Sequence, residues 1–279
     1  MTRIASRWIS AVVALGAMIG IAGVAKAQDA RANLAATSVI EEIKKRGTLL
    51  SGMATFVPWA MRNTKGELIG FEIDVATRLA QDMGVKVEFV PTAWDGIIPA
   101  LLAGKFDFII GGMTITPQRM LTVNFTNPYS ATGVMLVASK KMAPNLSKLE
   151  DFNKADYTLT GRRGGSAIAA VQRLLPKATI RLFDDDAHAI LEVVNGRAHA
   201  MSGTTPRPTF ETLNNPDVLY IPIAEPFVKQ ADAMAVRKGD PDALAYLNNW
   251  ITLRQQDGWL KERFDYWFGG RPWLDQVAK

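Results

Sequence analysis

One short stretch, residues 111–119, combines residue types that suit a small anion. It follows the apolar run 106–110 and reads Gly-Gly-Met-Thr-Ile-Thr-Pro-Gln-Arg. The two glycines leave the main chain bare for a ligand, Thr114 can donate a hydroxyl hydrogen bond, and Arg119 offers a planar fork that matches a carboxylate. The alternative is a loop that Thr116 caps, with Arg119 on a solvated face.

A second stretch with anion-binding character lies at residues 161–175. Gly164, Gly165 and Ser166 precede a helical pattern, so the first amides of that helix and the Ser166 hydroxyl would form a seat for an anion. The lysine of a Walker phosphate loop is missing. The alternative is an ordinary serine N-cap. Because each stretch follows a strand pattern, one in each half of the chain, an anion site is favoured over coincidence.

The remaining candidates predict no metal or catalytic centre. An aromatic ring at a strand's end can cover a ligand or belong to the core, and we assign Phe56 to a cleft and Trp59 to the core. His188 and His199 have no acid or cysteine at metal-ligand spacing. The three aspartates at 184–186 are expected to cap the next helix and to face water. We predict that the protein binds neither a metal nor a cofactor.

The first 27 residues have the pattern of a cleaved signal peptide. Two arginines precede the apolar run 8–24, and residues 25–27 (Ala-Lys-Ala) fit a small-x-small cleavage pattern. A membrane anchor is the alternative, but this run is short for spanning a bilayer. Cleavage after residue 27 removes three cations and no acid, so the formal net charge falls from +5 to +2. We therefore predict a periplasmic protein that does not bind nucleic acid, and the lack of cysteine excludes thiolate chemistry.

Strand and helix patterns alternate along the chain in two units. In the first unit, strand patterns at 49–54, 85–90 and 106–110 are separated by helical patterns at 70–80 and 96–102. The second unit shows the same alternation between residues 157 and 201. This spacing predicts parallel sheets covered by helices. In such a fold, ligands bind at the carboxyl ends of the strands, in the crevice between the lobes.

Two polar stretches, 139–144 and 220–226, have the composition of connections between two lobes. We therefore divide the mature chain into two lobes. Lobe 1 comprises residues 28–138 and 228–279, and lobe 2 comprises residues 139–227 with the hinge connections.

Residues 66–129 strongly resemble the first lobe of the polar amino-acid substrate-binding proteins of bacterial ABC importers, solute-binding protein family 3. That stretch reads GELIGFEIDVATRLAQDMGVKVEFVPTAWDGIIPALLAGKFDFIIGGMTITPQRMLTVNFTNPY, and residues 253–268 (LRQQDGWLKERFDYWF) resemble the family's closing helices. The resemblance implies the type II periplasmic binding protein fold. This is an α/β fold of two lobes, each a mostly parallel sheet flanked by helices, joined by two crossing connections.

The resemblance also implies roles for residues of lobe 1. Phe56 matches the aromatic ring that stacks on the ligand, and Gly112 matches a residue whose carbonyl meets the ligand amine. Thr114 matches the hydroxyl donor to the α-carboxylate, and Arg119 matches the arginine that binds this carboxylate. The implied function is capture without catalysis. An amino acid or related small carboxylate is trapped as the lobes close, and the permease of an ABC transporter recognises the closed monomer.

The resemblance to lobe 2 includes one departure. Ser166 matches the residue that completes the carboxylate seat, and Arg162 falls where a side chain lines the pocket. Residues 195–208 (NGRAHAMSGTTPRP) place Thr204 where the family has its amine-binding aspartate, and His199 where it has another aspartate. Either carbonyls and another acid satisfy the ligand ammonium, or the ligand is not a plain α-amino acid.

The arginines of lobe 2 bear on the ligand class. Arg162, Arg163 and Arg207 would favour an acidic ligand if they face the cleft, and the alternative is that they lie on the surface.

Two other functions compete with transport. Exported cyclohexadienyl dehydratases share this fold, but their catalytic acid lies in the segment that matches residues 204–207. The nearest position here is Arg207, which cannot donate a proton. A ligand-sensing receptor domain would need a membrane tether or a signalling partner. We therefore expect a binding protein that is not an enzyme.

Overall fold

The computed structural model describes residues 38–277. The signal peptide predicted at residues 1–27 lies outside this range. Across residues 38–277, no helix is long and apolar enough to span a bilayer.

The α-helices are α1 (Val39–Arg46), α2 (Phe71–Asp82), α3 (Ile97–Leu102), α4 (Pro117–Met120), α5 (Ser166–Leu174), α6 (Asp186–Val194), α7 (Arg207–Asn214), α8 (Pro241–Gln256) and α9 (Trp259–Phe264). The strands are β1 (Thr48–Met53), β2 (Met61–Arg62), β3 (Leu68–Ile69), β4 (Lys86–Pro91), β5 (Phe108–Thr114), β6 (Asn124–Phe125), β7 (Ser130–Ser139), β8 (Thr158–Arg162), β9 (Thr179–Phe183), β10 (Ala200–Thr204), β11 (Leu219–Tyr220) and β12 (Val228–Val236).

Each lobe is built on three parallel strands. In lobe 1, β1 pairs in parallel with β4 and with β5, and α2 and α3 follow in the connections between these strands. In lobe 2, β8 pairs in parallel with β9 and with β10, with α5 and α6 in the connections. The predicted alternation of strands and helices, and the two-lobed α/β fold class, are therefore confirmed.

Apolar faces of the helices bury the core of each lobe. In α2, Phe71, Val75 and Leu79 recur every four residues on one face and are fully buried. Trp59 is only 1% exposed and belongs to the same apolar cluster, so its assignment to the core is confirmed.

Two long antiparallel strands carry the chain between the lobes. β7 and β12 pair with each other from Val134 with Val228 to Ser130 with Asp232. β12 also pairs with β5 of lobe 1, and β7 pairs with β10 of lobe 2. Eight of the strands thus form one continuous sheet in the order β4-β1-β5-β12-β7-β10-β8-β9, while β2 and β3 pair separately.

The crossings do not lie in the polar stretches predicted to contain them. Ser139, which begins the first stretch, pairs with Leu219 inside lobe 2. The crossing strands are paired along both edges, so the crossings lie within β7 and β12. β12 was not predicted as a strand, because Lys229, Gln230 and Asp232 interrupt its apolar pattern.

β5 does not end before its two glycines, as the apolar run suggested, but continues to Thr114. Gly112 has a φ of 65°, and the pairing of β12 with β5 shifts register between Ala233 and Ala235. A shift of this kind bends a strand and redirects its end. The bend carries Thr114 towards lobe 2.

Candidate ligand-binding site

A small cavity lies between facing residues of the two lobes. Its lining comprises Phe56, Trp94, Gly112 and Thr114 of lobe 1 and Arg162, Gly165, Ser166, Ala167, Ile168, Asp186, Ser202, Gly203 and Thr204 of lobe 2. All the predicted site residues are in this lining except Arg119. The structure thus brings together residues separated by up to 148 positions in the chain.

Aromatic rings form the lobe 1 wall of the cavity. Phe56 stacks on Trp59, with ring centroids 6.0 Å apart and an interplanar angle of 10°. Trp94, which the sequence analysis did not single out, lines the cavity beside Phe56. Gly112 lies against the buried Trp59, and a Cβ atom at this position would be 2.8 Å from the Trp59 ring. Only glycine fits here, so the main chain at Gly112 borders the cavity directly.

Gly112→Ala should lower the free energy of unfolding by more than the roughly 1–2 kcal/mol expected for a left-handed non-glycine residue. The added Cβ atom would also displace Trp59, which packs in the lobe 1 core. Thermal denaturation of the two proteins measures the loss. Gly66→Ala is the matched control, because Gly66 has a φ of 82° and a Cβ atom added there would have no neighbour within 4 Å. Equal losses in both variants would contradict the role of the Trp59 contact.

Hydroxyl groups of the two lobes meet at the cavity. Ser166 Oγ lies 3.2 Å from Thr114 Oγ1, and Thr114 Oγ1 donates to Asp232 Oδ1 at 2.8 Å. Thr132 donates to the other oxygen of Asp232 at 2.9 Å, and Ser166 Oγ also lies 3.3 Å from Gln230 Oε1. The two hydroxyls predicted to bind a carboxylate therefore lie side by side.

Asp232 lies next to this hydroxyl pair and accepts a hydrogen bond from Thr114. Its side chain is buried, and burial raises its pKa to about 6, although the hydrogen bonds from Thr114 and Thr132 partly oppose the shift. Because the carboxylate accepts the Thr114 proton, it fixes the rotation of that hydroxyl. Asp232 and Gln230 both lie on β12, which sequence reasoning missed.

Arg119 makes contacts with the main chain of both lobes. Its Nη1 donates to the Thr114 carbonyl at 2.7 Å, and its Nη2 donates to the Gly164 carbonyl of lobe 2 at 3.0 Å. Burial, and then the neighbouring Arg162, lower its pKa to about 10. Thr116 caps α4 as the alternative interpretation expected, but Arg119 is not on a solvated face. Its binding of a ligand carboxylate stays a prediction.

Arg162 reaches from the end of β8 to the aromatic wall of lobe 1. Its guanidinium carbon lies 4.6 Å from the Phe56 ring centroid and 4.5 Å from the Trp94 ring centroid. Asp186 Oδ2 is 3.7 Å from Arg162 Nε. Burial lowers the pKa of Arg162, and Asp186 opposes this shift.

The three aspartates at 184–186 do not all face water, so that prediction is wrong for one of them. Asp185 caps α6, because its side chain accepts from the His188 amide. Asp186 is instead buried and lines the cavity beside Arg162. The local sequence resembles a helix cap, and only the distant partner Arg162 distinguishes Asp186 from its neighbours.

The other two arginines considered for the cleft lie elsewhere. Arg163 is half exposed near Asp95 and Asp184, at 3.9 and 3.4 Å. Arg207 forms an ion pair with Glu211 and does not line the cavity. Among the three, only Arg162 faces the cavity.

Glu72 is a buried carboxyl group behind the lobe 1 wall. The Tyr129 hydroxyl donates to its two oxygens, at 2.9 and 2.8 Å. Burial raises the pKa of Glu72 to about 8, and the hydrogen bond from Tyr129 partly opposes the shift. Glu72 is therefore a neutral acid at pH values near 7.

The match to known families agrees with this architecture. Residues 49–270 match the sequence model of the bacterial extracellular solute-binding proteins, family 3. The chain belongs to this family. The resemblance stated from residues 66–129 and 253–268 is thereby confirmed, and solved type II periplasmic binding proteins confirm the fold class.

Relatives of this family 3 protein include binding proteins and an enzyme. The L-cystine-binding protein TcyJ of Escherichia coli (strain K12) is 28% identical over 237 residues, which cover 83% of this chain and 86% of TcyJ. The crystal structure of the ancestral amino acid-binding protein AncCDT-1, a precursor of cyclohexadienyl dehydratase, has a TM-score of 0.76 and 40% identity, and the match covers 83% of this chain and 100% of AncCDT-1. The cyclohexadienyl dehydratase of Pseudomonas aeruginosa is 25% identical over 231 residues, 82% of this chain and 86% of the enzyme.

Proposed function

We propose that this family 3 protein is the extracytoplasmic solute-binding component of an ABC importer. It captures an amino acid or a related small carboxylate between lobe 1 (28–138 and 228–279) and lobe 2 (139–227). It acts as a monomer in the periplasm after removal of the signal peptide, residues 1–27. The permease of the importer recognises the closed, ligand-bound form.

The meeting of Thr114 and Ser166 carries this proposal. The two hydroxyls come from opposite lobes and lie 3.2 Å apart. When a ligand carboxylate binds, the Thr114 hydroxyl turns its proton from Asp232 to the ligand. Arg119 adds a cation that already contacts lobe 2 through the Gly164 carbonyl. A carboxylate in this position touches both lobes, and only a ligand that interacts with both favours the closed state over the open state.

The ligand ammonium has a candidate partner in spite of the missing family aspartate. Thr204 lines the cavity but carries no charge, whereas Asp186 supplies a carboxylate to the same lining. A buried ammonium needs such a partner. We therefore assign the ammonium to Asp186, with Phe56 and the Gly112 main chain on the opposite wall.

Catalysis is the second candidate function, because a dehydratase is among the relatives. Asp186 is the acid in the cavity lining, and it is paired with Arg162 at 3.7 Å. The position that corresponds to the dehydratases' catalytic segment contains Arg207, which pairs with Glu211. These features favour binding over turnover.

The test is titration calorimetry on residues 28–279, unfolded and refolded to remove any bound ligand. The panel contains acidic, basic and neutral amino acids, dicarboxylates and prephenate. We expect one member of the panel to bind at one site per chain, with a dissociation constant in the micromolar range or below, about −8 kcal/mol or stronger. If no amino acid or small carboxylate in the panel gave a heat of binding, the proposed function would be overturned. Formation of product from prephenate or arogenate would also overturn it.

A further inference from the structure

Resting on this proposed function, we propose that Arg162 selects a ligand with a second acidic group, such as an acidic amino acid, and disfavours cationic amino acids. In this assignment, the α-carboxylate binds at Thr114, Ser166 and Arg119, and the side-chain carboxylate binds to Arg162.

The position of the Arg162 side chain is the first observation. It comes from lobe 2, yet its guanidinium lies between the Phe56 and Trp94 rings of lobe 1, with both ring centroids within 4.6 Å. The faces of aromatic rings attract cations. The slot in which a cationic ligand side chain would be stabilised is therefore already filled by a cation of the protein itself.

The unused hydrogen-bonding capacity of Arg162 is the second observation. Its side chain is 91% buried, since only 9% is exposed, and its Nε has no hydrogen-bond partner within residues 38–277. Asp186 is close enough to attract it but too far, at 3.7 Å, for a hydrogen bond. A guanidinium presents its donors as a planar fork that matches a carboxylate. A ligand carboxylate in the cavity would supply the missing partner.

The balance of charge at the cavity is the third observation. Arg119 and Arg162 both border the Trp94 ring, at 5.8 and 4.5 Å from its centroid. Asp186 lies 3.7 Å from Arg162, and the charge of Asp232 partly opposes the lowering of the pKa of Arg119. A cationic ligand side chain would bring a further positive charge to the ring that both arginines already share, whereas a second ligand carboxylate would bring a negative charge to it.

The experiment compares Arg162→Gln with the unaltered protein by calorimetry against L-aspartate, L-glutamate, L-glutamine, L-lysine and L-arginine. Glutamine keeps a planar group between the two rings and removes the charge. We expect the unaltered protein to bind an acidic amino acid more tightly than L-glutamine, L-lysine or L-arginine. Arg162→Gln should weaken that binding roughly 10- to 100-fold and reduce the preference over L-glutamine by a similar factor.

Arg173→Gln is the matched control, because Arg173 is an exposed arginine of lobe 2, on α5. It should leave the affinities within about twofold of the unaltered values. Thermal denaturation shows whether each variant is folded, and retained binding of L-glutamine by Arg162→Gln shows that its site is intact.

The outcomes separate this inference from the proposed function. Tighter binding of L-lysine or L-arginine than of acidic amino acids by the unaltered protein would overturn the inference and leave the proposed function standing. The same holds if Arg162→Gln binds L-glutamate as tightly as the unaltered protein does. Failure of the unaltered protein to bind any amino acid or small carboxylate would instead overturn the proposed function.

Discussion

Arg119→Ala should weaken ligand binding at least about tenfold, which corresponds to about 1.4 kcal/mol. A charge-assisted hydrogen bond contributes about 1.5–3 kcal/mol. The variant also loses the contact between Arg119 and the Gly164 carbonyl, which joins the lobes at 3.0 Å. Both losses disfavour the closed, ligand-bound state. Titration calorimetry with the ligand identified from the panel measures the effect.

Two further variants define what Arg119 contributes. Arg173→Ala removes an exposed arginine of α5 and should leave the affinity unchanged. Arg119→Lys keeps the positive charge but loses the planar fork, so its affinity should lie between those of the alanine variant and the unaltered protein. An Arg119→Ala variant with unchanged affinity would remove this residue from the site.

The free energy of unfolding should fall as the pH rises from about 5 to about 8. The pKa of Glu72 is raised from 4.5 to about 8 in the folded protein, so between these values the unfolded chain loses a proton that the folded chain retains. The resulting stabilisation is complete below pH 4.5 and is lost as the pH rises through about 8, at up to about 1.4 kcal/mol per pH unit. Asp232, whose pKa is raised from 3.8 to about 6, acts with the same sign at lower pH.

Glu72→Gln should remove most of this pH dependence above pH 6, because a neutral amide replaces the buried carboxyl group. Urea denaturation of both proteins at pH 5, 6, 7 and 8 measures it. Glu88→Gln is the matched control, since Glu88 is exposed on β4, and it should follow the unaltered protein. Parallel curves for Glu72→Gln and the unaltered protein would contradict the assignment of the titration to Glu72.

The elements of lobe 1 could be predicted because their sequence patterns are local. The apolar residues of β1 and the regular spacing of Phe71, Val75 and Leu79 in α2 report burial without knowledge of the partner. The end of β5 could not be placed in this way. Its course through Gly112 depends on Trp59 and on the register of β12, and both are distant in the sequence.

The buried acids of the site could not be recognised from the sequence for a related reason. Asp232, Asp186 and Glu72 have side-chain partners 118, 24 and 57 residues away, in Thr114, Arg162 and Tyr129. Each acid lies in a local sequence that resembles an exposed strand, a helix cap or the polar start of a helix. Their burial becomes predictable only when the lobes and the crossing strands are assembled.

The placement of Arg119 shows a second limit. Its proximity to Thr114 follows from sequence separation and the turn of α4, but the direction of a long side chain does not. In the structure, the guanidinium points to two carbonyl groups, one of them in lobe 2. The resemblance to family 3 predicts its neighbourhood, and the Arg119→Ala titration tests its role.

The most direct test of the central claim, that one ligand is held by both lobes and closes them, is the rate of disulfide formation across the cleft. The chain has no native cysteine. A Cβ atom at Gly164 of lobe 2 would lie 3.4 Å from the Asp95 Cβ of lobe 1, close to the separation of roughly 3.5–4.5 Å in disulfides. Gly164 has a φ of 70°, which strains any other residue, so thermal denaturation must first show that the double variant is folded. In a protein with both Asp95→Cys and Gly164→Cys, a saturating ligand should raise the rate of crosslinking. The same rate with and without a ligand that calorimetry shows to bind would contradict the account.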